Sequence, residues 1–463
     1  MPTVAGFKKL RVLVLGLGLH GGGLAVANWL LSQGALVTIS DFKNSLELQS
    51  SLKKLKRSSR LQLVLGKQPI TLLKNCDLII QNPAVPREAK ILKLARQKNI
   101  PIENEASLFL KICPSQHLVA ITGSKGKSTT VSLLGQMVKS TFVNSLVAGN
   151  IRDTVMFEAL KKINRHSRLI LELSSWQLEV MDLHKQRVPL AVITNILPDH
   201  LNRYDSLAHY VKAKAVLVRW QKVTDQAVLN YDNVRTRALA KQTKAKVYWF
   251  SLIKPVRRGC YIKNNFIYWQ NKKIEKIMSV ADVKLKGQHN LANILAAVAA
   301  GRLIGLPASK IAKTLRNYKG LHDRLELVRQ FKGRYYYNDT TATAPVATIA
   351  ALKTLAGQAV SLIAGGQDKN LEYKGLAKQI VINQVVLILL PGTATVKLLA
   401  ALPKDYPYLE VDNMKQAVKL ANSSLGVASG GTVLLSPGAA SFNLFKHEFD
   451  RGQQFIKEVK ALV

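Results

Sequence analysis

One short stretch constrains this chain more than any other: Gly123-Ser-Lys-Gly-Lys-Ser-Thr-Thr130, directly after the apolar run Leu118-Val-Ala-Ile-Thr122. A buried strand, a glycine-rich turn and a helix start in that order form a cradle for nucleotide phosphates. The turn aims backbone N–H groups at phosphate oxygens, and the helix adds the positive end of its dipole. In such a cradle Lys127 is a point charge for the β/γ-phosphates and Ser128 a hydroxyl for Mg²⁺. The common form places four residues between the first glycine and the Gly-Lys pair. Here only Ser124 and Lys125 intervene, so the loop is shorter. That spacing predicts an α/β nucleotide-binding domain of a specialised ATPase branch.

With 463 residues, the chain has room for two to four such domains. Hydrophobic content of 48% and charged content of 21% are those of an ordinary globular protein. No apolar run is long enough to span a bilayer, and no apolar h-region precedes the first strand, so the expected location is cytoplasmic. Cys76, Cys113 and Cys260 are scattered without metal-ligand spacing, which fits a reduced compartment and no disulfide framework. The net charge is +39, of which residues 113–319 carry +23. Its basic residues lie singly or in short clusters, without zinc-finger spacing or an aromatic RNA-binding strand. Functional nucleic-acid binding is therefore not expected.

Along the chain, strands and helices alternate in three blocks. Residues 1–112 open with Arg11-Val-Leu-Val-Leu15, the turn Gly16-Leu-Gly18-Leu-His-Gly21, a helix face from Leu24 to Leu31, and a second strand closed by Asp41. Alone, this is a dinucleotide fingerprint, with the acid placed for a ribose hydroxyl, but it does not specify which nucleotide. Residues 113–319 hold the phosphate loop, further apolar strands, short β segments from 226 to 286, and an Ala-rich helix from Leu291 to Ile304. Residues 320–463 alternate again and end in an amphipathic helix from Phe445 to Val463. The predicted fold class is α/β in three domains: a Rossmann-like N-terminal domain, a central phosphate-loop ATPase domain and a Rossmann-like C-terminal domain.

Several polar groups stand at strand ends. Glu172 closes the apolar run in Leu171-Glu-Leu-Ser-Ser-Trp-Gln-Leu-Glu179. It is either a metal ligand or a capping acid at a helix start. Asn195-Ile-Leu-Pro-Asp-His-Leu-Asn-Arg-Tyr204 gathers His200, an arginine and polar residues in one loop after a strand. Gly287-Gln-His-Asn-Leu-Ala-Asn293 opens the Ala-rich helix, either as an adenine contact or as a cap. In the third block, Tyr337-Asn-Asp-Thr-Thr-Ala-Thr-Ala-Pro345, Gly365-Gly-Gln-Asp-Lys369 and Ser436-Pro-Gly-Ala-Ala-Ser441 each follow a strand. They read as three binding loops on one sheet edge.

Taken together, these segments resemble the Mur ligases of peptidoglycan synthesis over nearly the whole chain. The closest likeness is to the D-glutamate-adding branch, through Leu171–Glu179, Asn338-Asp-Thr-Thr-Ala-Thr343, Ser436-Pro-Gly-Ala-Ala-Ser-Phe442 and Phe449-Asp-Arg-Gly452. The resemblance implies an ATP-dependent ligase joining D-glutamate to UDP-N-acetylmuramoyl-L-alanine through an acyl phosphate. It also implies a first domain that binds UDP rather than NAD and a C-terminal domain that closes over the site. By position, Gly123, Gly126, Lys127, Ser128 and Thr129 would hold ATP phosphates, and Asn293, Arg324 and Asp339 the rest of the nucleotide. Ser128, Glu172, His200 and Lys214 would organise two Mg²⁺ ions, Lys214 as a carbamylated lysine. Leu19, His20 and Asp41 match uridine-side positions, and Asn150, Ser174 and Gln177 the muramoyl-alanine channel. Thr343, Lys369, Ser441 and Phe449 match the D-glutamate site, with Glu448 competing with Phe449. The chain departs from the family pattern at Ser124-Lys125, His20, Phe42-Lys43, Asn202 and Asn82-Pro-Ala-Val-Pro86. Three other readings compete: an amide ligase for another amino acid or for folate, an NAD-dependent oxidoreductase, and a nucleic-acid-stimulated NTPase.

Overall fold

Apolar runs closed by glycine turns become parallel strands buried on both faces. The computed structural model describes residues 4–18, 21–149, 155–199, 203–285, 287–425, 430–442 and 444–462. Leu19, His20, Asn150, His200 and Asn202, all singled out above, lie outside them. The chain divides into two compact units. One comprises Met1–Leu197, Ala208–Ala281 and Ala292–Thr314, the other Pro198–Leu207, Asp282–Leu291 and Leu315–Val463.

The first unit holds two sheets. Strands β1 (Arg11–Leu15), β2 (Leu36–Asp41), β3 (Leu61–Leu65), β4 (Leu78–Gln81) and β5 (Ile102–Glu103) form a five-stranded parallel sheet in the order β3-β2-β1-β4-β5. The strand order reverses beside β1, and the glycine turn that follows β1 leaves from that switch point. The helix Gly22–Ser32 follows the turn. The second sheet is built from β6 (Leu118–Thr122), β7 (Ser145–Gly149), β8 (Arg168–Glu172), β9 (Leu190–Ile193), β10 (Gln226–Asn230), β11 (Lys246–Ser251), β12 (Gly259–Lys263), β13 (Phe266–Gln270) and β14 (Ile274–Ser279). Its order is β14-β13-β12-β11-β10-β9-β6-β8-β7, parallel except where β13 runs against its two neighbours. The short β segments expected from 226 to 286 thus extend the sheet that carries the phosphate loop.

A polar seam joins the two sheets of this unit. Asn104 caps the helix Glu105–Ile112 in a reciprocal capping box with Ser107. Its Nδ2 also donates to the carbonyl of Gln177, 2.9 Å away, in the helix Ser175–Leu183. Beside it the buried Glu103 carboxylate meets Lys111, Ser107 and His184. Trp29 and Phe109 both meet the Phe157 ring edge to face.

The second unit carries β15 (Glu326–Phe331), β16 (Arg334–Asn338), β17 (Val360–Gly365), β18 (Val386–Leu390), β19 (Tyr408–Glu410) and β20 (Gly431–Leu435) in the order β15-β16-β20-β17-β18-β19. Only β15 is antiparallel. The two-residue period of the strands splits their side chains between two cores. Leu362, Leu387 and Leu434 pack on one face with Leu376 and Leu398. Ile363, Ile388 and Val433 pack on the other with Phe455. The terminal helix runs from Glu448 to Lys460 rather than from Phe445, because the His447 side chain caps it by accepting from Asp450 N–H. No described helix is long and apolar enough to cross a membrane.

Candidate active site

The phosphate loop leaves β6 and ends on the helix Lys127–Lys139, as its sequence predicts. Two glycines are required by both conformation and space. Gly123 has φ +155°, and a Cβ there would lie 1.9 Å from Thr194 Oγ1. Gly126 has φ +85°, and a Cβ there would lie 2.0 Å from Asn293 Oδ1. The end of β9 pins the loop between them: Ser124 N–H donates to the Asn195 carbonyl (2.9 Å) and Lys125 N–H to Asn195 Oδ1 (3.0 Å). In return Thr194 Oγ1 and Asn195 Nδ2 donate to the Lys125 carbonyl. No side chain caps the helix at Gly126, so its first-turn amides, at Lys127, Ser128 and Thr129, face an anion-sized task. Lys127 Nζ bridges the carbonyls of Gly123 (2.9 Å) and Ser124 (3.1 Å), folded over the loop it would serve.

Around the loop lie the groups expected to handle a metal. Glu172 is 2% exposed and pairs in register with Ile121, at the mouth of the loop. Lys214 is 1% exposed, and its Nζ donates to the Gly123 carbonyl at 2.9 Å. Among the described residues no three His, Cys, Asp or Glu side chains cluster as a metal site. The donors present are oxygens, Glu172 carboxylate and Ser128 hydroxyl, which suit a hard cation such as Mg²⁺. An unmodified Lys214 ammonium would repel that cation. A carbamate on the same nitrogen would supply a further anionic oxygen, so the residues fit Mg²⁺ with that modification.

Two other expected contacts have structural duties. Ser174 and Gln177 form a capping box at the start of the Ser175–Leu183 helix: Ser174 Oγ accepts from Gln177 N–H and Gln177 Oε1 accepts from Ser174 N–H. The Asp41 carboxylate accepts from the N–H groups of Leu17 (2.9 Å), Gly18 (3.3 Å) and Lys43 (2.9 Å). It therefore sets the glycine turn of the first sheet, in addition to any part it plays toward a ribose.

In the second unit the three loops after β16, β17 and β20 do gather on one sheet edge. Gln367 and Ala440 form a two-way backbone bridge, Gly365 N–H donates to the Pro437 carbonyl, and Gly438 N–H donates to Ala342. Lys369 Nζ donates to Thr343 Oγ1 at 3.0 Å, so two of the four members of the expected D-glutamate set meet. Ser441 is buried on the third loop, and Phe449 lies half-buried with its ring 5.9 Å from that of His447. Asp339 is buried with Leu325 N–H on one oxygen (3.1 Å) and Ser436 Oγ on the other (2.7 Å). Burial pushes its pKa up to about 7. It thereby holds the turn that carries Arg324.

Sequence reasoning left Arg451 without a role. Its guanidinium is fully buried and donates to Thr340 Oγ1 (3.1 Å), the Thr340 carbonyl (2.8 Å) and the Ala439 carbonyl (3.2 Å). It ties the loops of Thr343 and Ser441 together, and burial lowers its pKa to about 10. The signal was present in the motif Phe449-Asp-Arg-Gly452, but its partners are not adjacent in sequence. Asn195, which pins the phosphate loop together with Thr194, was likewise read only as part of a polar segment.

Known proteins bear on this arrangement. Residues 10–104 match the family model for the Mur ligase MurD-like N-terminal domain, and residues 121–301 match the Mur ligase middle domain. A UDP-N-acetylmuramoylalanine–D-glutamate ligase from Roseiflexus sp. (strain RS-1) is 38% identical over 97% of this chain and 98% of its own. The protein of that same name from Caldanaerobacter subterraneus subsp. tengcongensis is 36% identical over 98% of this chain and 99% of its own. Among solved structures, the UDP-N-acetylmuramate-alanine ligase of Thermotoga maritima aligns with a TM-score of 0.59 at 19% identity, over 98% of this chain and 99% of that one. At that identity it supports the fold alone.

Proposed function

This chain belongs to the Mur ligase family, and from that premise we propose that it joins D-glutamate to UDP-N-acetylmuramoyl-L-alanine at the expense of ATP, a cytoplasmic step of peptidoglycan synthesis. The observation that carries the choice of member is the full-length likeness to several D-glutamate ligases. It agrees with a loop cluster in which Lys369 offers a cation beside the Thr343 hydroxyl. The chain is an acid–amino-acid ligase, and the NAD-dependent and nucleic-acid-stimulated readings fall away.

A carboxylate is a poor electrophile, so its oxygen first attacks the γ-phosphorus of ATP. ADP leaves, and the product is an acyl phosphate. The loop amides at Lys127, Ser128 and Thr129, with the Lys127 ammonium, stabilise charge on the transferring phosphoryl group. Bound Mg²⁺ neutralises phosphate charge. The residues that would hold it are Ser128, Glu172, His200 and a carbamylated Lys214, in a two-ion arrangement. Asn293, Arg324 and Asp339 are assigned to the remainder of the nucleotide. Leu19, His20, Asp41, Asn150, Ser174 and Gln177 are assigned to the UDP substrate. The D-glutamate amine then attacks the acyl carbon, phosphate departs with the C–O bond electrons, and the amine gives up a proton. Thr343, Lys369, Ser441 and Phe449 are assigned to the amino acid, Lys369 pairing with a carboxylate.

The direct test incubates the protein with ATP, Mg²⁺, UDP-N-acetylmuramoyl-L-alanine and D-glutamate and follows the nucleotide-sugar by mass spectrometry. One amide-linked glutamate and one phosphate per turnover are expected. Phosphate release without the amide product would overturn the reading.

A further inference from the structure

We propose that the edge of the nine-stranded sheet at which its parallel strands begin is a docking face for an anionic lipid bilayer. The register fixes which edge this is. The strands from β6 to β12 pair in parallel, and β14 runs with them because β13 opposes both its neighbours. Their first residues therefore share one edge. The phosphate loop follows the last residue of β6 and so leaves from the opposite edge. A partner seated on the first edge leaves that loop uncovered.

Cations collect along this edge without matching acids. Lys222 precedes β10, Lys246 opens β11, Arg257 and Arg258 precede β12, and Lys272 and Lys273 make the turn into β14; all six are exposed. The acids that accompany them are already engaged, Asp225 by Arg187 and Glu275 by Arg302. Among the described residues none of the six cations is ion-paired.

Aliphatic side chains protrude from the same edge, two of them beside these cations and one at the far end of the sheet. Val143, ahead of β7, is 99% exposed, Val223 beside Lys222 is 76% exposed, and Ile274 beside Lys273 is 62% exposed. Strands β7 and β14 are the two outer strands of the sheet. At the usual strand spacing the apolar tips are therefore spread over about 38 Å. Cations around protruding aliphatic groups suit an anionic bilayer: the charges meet headgroup phosphates and the aliphatic tips enter the acyl boundary. A single-stranded nucleic acid would call for exposed aromatic faces on which bases stack. Among the described residues from 118 to 281, every aromatic side chain is buried or half-buried.

The test is co-sedimentation of the full-length protein with vesicles of phosphatidylcholine alone or mixed equally with phosphatidylglycerol, in about 0.1 M salt. Binding is expected on the mixed vesicles only. The triple variant K222E/K272E/K273E should weaken it at least about tenfold. V223S/I274S, with charge unchanged, should weaken it severalfold. A charge-matched control in the other unit, K404E/K415E/K419E, should bind nearly as the parent does. Ligase turnover of all variants should stay near the parent value, which reports an intact fold. The proposal is overturned if the parent ignores anionic vesicles or if the control weakens binding as much as the edge triple does. It is also overturned if V223S/I274S binds like the parent while RNA competes the protein off the vesicles, which would assign the edge to nucleic acid. None of these outcomes bears on the ligase assignment.

Discussion

Lys127 and Gly126 serve the phosphate loop in different ways, and their substitutions separate accordingly. Lys127→Ala removes the cation proposed to meet developing phosphoryl charge, and with it two hydrogen bonds to the loop's own carbonyls. Phosphate release should fall by about 10²–10³ with the melting temperature nearly unchanged. Near-parental turnover would remove Lys127 from the mechanism. Gly126→Ala places a Cβ 2.0 Å from Asn293 Oδ1 at a backbone with φ +85°. ATP-analogue affinity should drop at least about tenfold by titration, because the loop must deform before it cradles a phosphate. In the other unit, Lys369→Ala should raise the KM for D-glutamate about tenfold or more while the KM for ATP stays close to the parent's. Equal effects on both would mean that Lys369 supports the fold and does not bind the amino acid. The place of Lys127 and Gly126 in a glycine-rich loop between strand and helix was legible in the sequence, because that short run carries its pattern locally, whereas the part proposed for Lys369 came from the family resemblance. Arg451 and Asn195 were not, because their roles exist only through partners 111 and 70 residues away.

At the scale of elements, the seam between the first two sheets makes a pH-dependent contribution. The hydrogen bond that the His184 ring donates to the Glu103 carboxylate raises the His184 pKa above the ordinary imidazole value of 6.5, against burial and the nearby Lys111. A raised imidazole pKa stabilises the fold fully below 6.5 and loses that contribution as pH climbs through the folded value. The melting-temperature gap between the parent and His184→Gln should therefore be widest near pH 6 and shrink at higher pH. A gap independent of pH would show that His184 contributes only packing. Of the elements themselves, the buried parallel strands were readable as continuous apolar runs, whereas the capping box at Ser174 went unread, its Ser and Gln having been taken only as substrate contacts. Strands β15 and β19 were not readable. The first is half-buried and polar, and the second is three exposed residues whose pairing to β18 supplies the only order they need. The start of the terminal helix was misplaced because the cap is a histidine, a residue that also fits a helix interior.

Over the whole molecule, the three-domain α/β architecture follows from where strands, glycine turns and helices recur, and the sequence carried that pattern apart from elements such as β15 and β19. How the charge of +39 is used did not follow from counting. It took the register of the nine-stranded sheet to show that many cations precede parallel strands and so fall on one edge, away from the phosphate loop. The assignment itself rests on the choice of amino acid, because every Mur ligase shares the ATP chemistry. The most direct measurement is phosphate release from ATP with UDP-N-acetylmuramoyl-L-alanine and, in turn, D-glutamate, L-glutamate, D-glutamine, L-lysine, L-alanine and meso-diaminopimelate. A loop cluster with Lys369 as its cation should lose its charge partner with D-glutamine and misplace a carboxylate with L-glutamate. D-Glutamate should therefore give the only substantial turnover. Faster turnover with L-lysine, L-alanine or diaminopimelate would contradict the assignment while leaving the family intact.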